Sequence, residues 1–182
     1  MNTTLKPPTH ASSLVQPIVI WPDPILAARA VPVQRFSSAE LGWIIDSMIA
    51  TMLDARGIGL AANQIGLPLD LAVLQREDGV IHEIINPVIS DGHEPVEYDE
   101  GCLSIPGERE RVQRWKSLTL IWQDRHGAEH KERLFGHDAH VAQHEVGHLR
   151  GKVYADLLPP DRYKVLLKRW TKRKRHAAEA AE

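Results

Sequence analysis

His144-Glu145-Val146-Gly147-His148 is the segment of this chain best suited to chemistry. On a helix, residues four apart lie on one face, about 6 Å apart along the axis. Two imidazoles placed that way can grip one metal ion. Glu145 sits beside a ligand without having to be one, so it is free to act as a base on water at the metal. The bland alternative is a chance pattern in a charged helix, with two surface histidines. A catalytic site of this kind needs a third protein ligand and an open position. One protease pattern continues through a glycine to a third histidine; this chain follows it to Gly151 and then has Tyr154. A downstream glutamate would also serve, but the first after His148 is Glu179, in a polar stretch, and Asp156 and Asp161 are weaker candidates. Upstream lies Cys102, in Glu100-Gly101-Cys102-Leu103-Ser104, and it is the only cysteine. A lone cysteine is often a small buried apolar residue. A thiolate is nevertheless a strong ligand for a divalent ion, so the residues point to Cys102, His144 and His148.

The rest of the chain must position these groups. It has 182 residues, 43% of them hydrophobic and 25% charged, with a net charge of -2. That suits a single domain with a real core. Global charge gives no reason to expect specific nucleic-acid binding. One cysteine excludes an intramolecular disulfide, and the cytoplasm is the expected location. No apolar run approaches the ~20 residues that span a bilayer. The first residues, to Gln16, are polar, carry Pro7 and Pro8 and lack a signal-type apolar stretch. We expect a tail over 1–14, one catalytic domain over 15–176 and a polar tail over 177–182.

Val15 to Ile20 reads as a short strand or extended arm, ending at Pro22-Asp23-Pro24. Ser37 to Arg56 reads as a helix with a Ser37/Glu40 capping box, an apolar face of Leu41, Ile44, Ile45, Met48 and Met52, and a left-handed stop at Gly57. Leu71–Gln75 and Val80–Ile85 read as strands joined at Asp78-Gly79, with Asn86-Pro87 ending the second. Ser117–Gln123 and Lys131–Phe135 form a further pair across a turn at His126-Gly127. Helices follow from about Asp138 to Arg150, closed by Gly151, and after Pro159-Pro160. Strands and helices do not alternate strictly. The expected class is therefore α+β, with mixed or antiparallel sheets around a central metal-binding helix and a C-terminal helix.

Three segments, Gly57–Gln64 (GIGLAANQ), Glu100–Ser104 (EGCLS) and Gln143–His148 (QHEVGH), resemble the signature motifs of the peptide deformylase family, in order and at suitable separations. Pro22-Asp23-Pro24 with Ile25-Leu26, and the Asn86-Pro87 pair, resemble it too. The likeness runs from about Val15 to Leu158. It implies removal of the N-formyl group from the initiator methionine of nascent peptides. It implies one divalent ion on Cys102, His144 and His148, with iron expected and zinc, nickel or cobalt compatible with the donors. It implies Glu145 as general base and acid, and the Gln64 amide with the Leu103 backbone N–H as oxyanion donors. Gly57, Ile58 and Gly59 would line an extended substrate, as in strand addition. Glu100, Gly101 and Arg109 would stand at the substrate mouth, although Glu100 and Arg109 could equally be structural ion-pair partners.

One departure stands out: Gly147 occupies a position where the family usually has Asp. Glycine inside a helix costs about 1 kcal/mol relative to alanine, and a carboxylate that could orient a ligand is missing. Two rival readings stand: an HExxH-type metallopeptidase, which needs only His144, Glu145 and His148 with some third ligand, and a catalytically impaired relative that binds peptides or metal, favoured by Gly147 alone. Finally, Arg162, Lys164, Lys168, Arg169, Lys172, Arg173, Lys174 and Arg175 crowd the last helix. They form either a solvated face or a docking surface, with the ribosome as the natural partner.

Overall fold

The computed structural model describes residues 14–179, without the side chains of residues 177 and 178. Residues 1–13 and 180–182 lie outside it, and with them most of the two expected tails. One antiparallel sheet runs β1 (Gly59–Ala61), β2 (Leu71–Gln75), β3 (Ile81–Gly101), β4 (Arg109–Gln123) and β5 (Glu129–Phe135), in that spatial order. The helices are α1 (Pro24–Ala27), α2 (Ala39–Asp54), α3 (Gly136–Leu149) and α4 (Pro160–Glu179). Val31 and Leu69 form one isolated parallel bridge beside this sheet. The class is α+β as expected.

Strand β2 explains how the layers meet. Side chains alternate across a strand, so Ala72 and Leu74 enter one core while Leu71 and Val73 enter the other. Ala142, Val146 and Leu149 of α3 cover the first face. Leu41, Ile44, Ile45, Met48 and Met52 of α2 cover the second. Because β2 is buried on both faces, its sequence is a continuous apolar run rather than an alternating one. A third cluster joins Trp21, Cys102, Ile105, Tyr154, Leu166 and Trp170, and so seats α4 beside the cysteine.

Several local expectations are corrected. Of the two readings of Val15 to Ile20, the extended arm holds and the strand does not; the Val19 N–H ties it to the Gln64 carbonyl (2.7 Å). Ser38, not Ser37, caps α2, accepting the Leu41 N–H at 3.1 Å, while Ser37 has a φ of 53° and donates its N–H to Arg125. The left-handed residue that ends α2 is Arg56 (φ 54°), not Gly57. Arg56 N–H bonds to the Leu53 carbonyl and Gly57 N–H to that of Met52 (3.0 and 2.8 Å). That is the Schellman pattern shifted one residue from the glycine. Asn86-Pro87 does not end a strand: β3 continues to Gly101 through a register shift between Ile85 and Val88. Asn86 takes a φ of 50° there and fixes the bulge by bonding both backbone polar groups of Val33. A bulge is where a sheet tolerates proline, because the missing N–H breaks no ladder bond. Helix α3 begins at Gly136, earlier than Asp138, and α4 reaches Glu179, into the segment read as a tail.

Gly151 behaves as the sequence suggests. Its φ of 72° and the bonds Gly151 N–H to His148 O and Lys152 N–H to Gly147 O close α3. Gly147 itself is under no such constraint. A Cβ there would meet only the Lys152 carbonyl oxygen at 3.7 Å, an ordinary contact. Gly147→Ala is expected to raise stability by up to about 1 kcal/mol, read as a higher urea midpoint, with activity kept.

Candidate metal centre

Helical spacing in α3 brings His144 and His148 together, with their Nε2 atoms 3.3 Å apart. The Cys102 Sγ lies 3.2 Å from the His148 Nε2. It is delivered by the turn after β3, where the Ile105 N–H bonds the Cys102 carbonyl. The three donor atoms lie within 4.8 Å of one another. Two nitrogens bound tetrahedrally at 2.0–2.1 Å sit about 3.3 Å apart, so the spacing fits one ion. The charge distribution fits as well. Burial opposes a positive charge on His144, but Cys102 and Glu100 overcome it and hold the ring well above its ordinary pKa. Burial and the neighbouring His144 push His148 well below the ordinary value. The metal-free cluster thus favours one proton, on His144, which a bound ion would displace.

Glu100 decides how His144 faces the cluster. It is buried and makes a two-pronged ion pair with Arg114 (2.7 and 3.0 Å). Its Oε2 also accepts from the His144 Nδ1 at 2.9 Å, and its Oε1 accepts from the His140 Nε2 at 2.9 Å. Burial alone would raise its pKa; the bonds from His140, His144 and Arg114 reverse that and keep it ionised. Holding the proton on Nδ1 leaves the His144 Nε2 lone pair free for an ion. Of the two sequence readings, Glu100 takes the ion-pair one: it stands behind the ligand rather than at the mouth. Glu100→Gln is expected to weaken metal affinity by roughly 10–100-fold, as measured by competition with a chelator. His148 is anchored differently, through its backbone carbonyl to the Asn63 side chain (2.7 Å). Its Nδ1 has no partner among the described residues.

Glu145 is buried, and its Oε2 has no partner among the described residues. Desolvation raises its pKa from 4.5 to about 7. Gly59 explains how it fits: a Cβ there would run into the Glu145 carboxylate, and one at Gly57 would come within 2.8 Å of Leu103 Cδ1. Both glycines therefore make room for groups of the site. Gly59 opens the edge strand β1. Ile58 gives its carbonyl to the Gln75 N–H (2.8 Å), so strand alternation turns the polar groups of Gly59 to the open edge. The Ile58 side chain is 46% exposed beside it.

Gln64 is buried and held at both ends of its amide. Its Oε1 accepts the Ala61 N–H, and its Nε2 donates to Ser104 Oγ (3.1 Å) while lying 3.6 Å from Cys102 Sγ. The Leu103 N–H has no acceptor among the described residues. Arg109 pairs with Asp99 in an exposed bridge and lies over Gly101, at the rim. A cavity of about 640 Å³ opens over these atoms, with Ile58, Leu103, Pro106, His140 and Val141 in its walls. That volume suits a peptide-sized ligand.

All twelve residues singled out from the sequence therefore gather at or behind one cavity. Arg114, His140, Ser104 and Asn63 were missed. Asn63 and Ser104 lie inside the GIGLAANQ and EGCLS segments without a role read for them, and Arg114 and His140 lie outside the motifs and act across the sheet or from α3.

The family described as polypeptide deformylase matches residues 15–163. A peptide deformylase of Rhizobium meliloti is 37% identical over 163 residues, 87% of this chain and 93% of its own. The peptide deformylase of Legionella pneumophila superposes with a TM-score of 0.84 at 37% identity, covering 90% of this chain and 98% of that one. The Met-Ala-Ser-bound class I type b enzyme of Acinetobacter baumannii superposes with a TM-score of 0.76 at 28% identity, covering 81% and 100%. With its cysteine, two histidines and glutamate drawn to one cavity, this chain belongs to the peptide deformylase family.

Proposed function

We propose that this chain is a working peptide deformylase: it hydrolyses the N-formyl group from the initiator methionine of nascent polypeptides and releases formate. The observation that carries the reading is the placement of Glu145 beside the Cys102, His144 and His148 donors at the base of the cavity. A divalent ion on these donors supplies Lewis acidity to the formyl carbonyl and to the attacking water. Iron is our choice, since the soft thiolate and two imidazoles suit it and the family resemblance points to it; zinc, nickel and cobalt suit the same donors.

The protein groups do the rest. An extended substrate lies along the open edge of β1 and pairs with Gly59, which carries the formyl group toward Cys102. Glu145 removes a proton from the attacking water, a task suited to a carboxylate with a pKa of about 7. The carbonyl becomes tetrahedral, and its oxygen gains charge opposite the Gln64 Nε2 and the Leu103 N–H. A preorganised donor of this sort is worth roughly 3 kcal/mol. The C–N bond then breaks, and Glu145 returns the proton to the leaving nitrogen, giving formate and a free amine. In support, a relative is known with Met-Ala-Ser bound, the peptide such a reaction would leave. Incubation with formyl-Met-Ala-Ser and mass analysis of the products is the test. Loss of the formyl group with both peptide bonds intact is the expected result. Cleavage between residues would indicate a metallopeptidase, and no reaction an impaired relative.

The proposed substrate and the single cysteine support a cytoplasmic location. No helix among the described residues is long and apolar enough to cross a membrane. The ribosome is a natural partner, and α4 narrows where it would dock. Arg162, Arg169 and Arg173 point inward, paired with Glu108 and Glu110. Lys164, Lys168 and Lys172 form a stripe on the opposite side, with no carboxylate partner among the described residues. Reversing these three lysines to glutamate should abolish co-pelleting with ribosomes at low salt while leaving the Arg pairs intact. Undiminished pelleting would remove the ribosome from the account.

A further inference from the structure

The inward face of α4 ends on the same short segment that carries the Leu103 N–H. Residues 103–108 leave the cysteine, turn twice and enter β4, so Leu103, Pro106, Gly107 and Glu108 all line the cavity. Ile105 anchors the middle of the segment in the third core cluster, and two turn bonds, Ile105 N–H to Cys102 O and Glu108 N–H to Ile105 O, hold it locally. Its Gly107–Glu108 end is held from outside as well. Arg173 donates from Nε to Glu108 (3.0 Å) and from a terminal nitrogen to the Gly107 carbonyl (3.1 Å). Arg169 donates from Nε to the other Glu108 oxygen (2.9 Å) and from a terminal nitrogen to Glu110 (2.6 Å). The Glu108 side chain is 5% exposed. A carboxylate so buried, shared by two guanidinium groups, is geometrically fixed in a way that surface pairs are not.

A second route leads from the same helix to the other oxyanion donor. Trp170 donates its indole N–H to the Trp21 carbonyl (3.1 Å), and the Trp21 N–H bonds the Ser104 carbonyl (2.9 Å). Ser104 Oγ in turn accepts from Gln64 Nε2. Both routes start on α4; one ends at Gly107 and Glu108, on the segment that carries the Leu103 N–H, and the other ends at the Gln64 amide.

We infer that Arg169 and Arg173 are positioning residues for deformylation, clamping residues 103–108 from outside the cavity so that the Leu103 N–H and the cavity wall are set before substrate arrives. They touch neither substrate nor metal and act through Glu108 and Gly107. The inference rests on the proposed activity. Donor placement matters because a shift of about 1 Å from a remote change can cost on the order of 100-fold in rate.

The test uses the full-length, metal-loaded chain carrying Arg169→Ala and Arg173→Ala together, and Arg173→Lys alone. Bound metal, kcat and KM for formyl-Met-Ala-Ser are measured well below each melting temperature, with hydrogen exchange of residues 103–108. The double variant should keep its metal, lose about tenfold or more in kcat and exchange faster across 103–108. Arg173→Lys keeps the charge but not both contacts and should fall between. A clamp that only stabilised the fold would lower the melting temperature and leave kcat and KM per bound metal unchanged; that result overturns the inference. A wild-type chain that releases no formate would overturn the proposed function and this inference with it, whereas an active wild type with unaltered variants overturns the inference alone.

Discussion

Replacing Cys102 with alanine is expected to strip the chain of its metal and of its activity together. The sulfur is one of three donors on a triangle with two edges of 3.2 and 3.3 Å, and no other described side chain is placed to take its position. Loss of a partner behind a ligand costs roughly 10–100-fold in affinity; loss of the ligand itself should exceed ~100-fold. Metal analysis after dialysis reads the effect directly. The substitution removes little volume, so the fold should persist, and far-ultraviolet circular dichroism will separate lost metal from lost structure. Retention of a full equivalent of metal would mean that His144 and His148 use another third donor, which would return the metallopeptidase reading to contention.

The second large effect concerns Glu145. Glu145→Gln keeps the shape and the metal donors but cannot accept a proton. Its kcat should fall by about 10²–10⁴-fold, the usual contribution of a positioned acid–base group, with metal content unchanged. Stability should move the other way in the metal-free protein. Burial raises the folded-state pKa of Glu145 from 4.5 to about 7. Its protonated form is therefore favoured by the fold, and the resulting stability is fully present below about pH 4.5 and lost as pH rises through 7. The loss is about 3 kcal/mol at most for this shift. Neutral glutamine has no such dependence. Urea midpoints of the two metal-free proteins should agree near pH 4.5 and diverge by pH 8, with Glu145→Gln the more stable. A bound cation offsets this cost, so the gap should narrow when metal is restored.

What the sequence made legible was local. His144, Glu145 and His148 are read from helical spacing because a turn of helix is the whole geometry involved. Cys102 could be added because the chain has one thiol and a catalytic ion needs a third donor. Strand β2, buried on both faces, and the Asp78-Gly79 hairpin were legible for the same reason. Contacts that depend on register were not. Arg114 lies opposite Val96, not Glu100, and reaches its carboxylate along the strand. No spacing rule connects them. His140 looks like a surface histidine until Glu100 and the stacked Tyr98 ring are seen beside it. The Asn86-Pro87 pair has the composition of a strand end, and only the bond from Asn86 to Val33 reveals a bulge. In α4, eight basic residues read as one patch, but Glu108 and Glu110 sort three arginines inward and leave the lysine stripe outward. Gly147 was the feature expected to trouble the centre. A Cβ there would meet the Lys152 carbonyl oxygen at an ordinary 3.7 Å and would not come within 4 Å of the His144 ring, so the space for a side chain exists and the glycine's cost to the helix is not forced by crowding.

The central claim is that a single ion on Cys102, His144 and His148 enables this chain to remove a formyl group. The direct test is an anaerobic titration of Fe²⁺ into the metal-free protein, following formate release from formyl-Met-Ala-Ser. The rate should start near zero, climb with added iron and level off at one ion per chain. Full-rate formate release without metal, or none with one ion bound, would contradict the account.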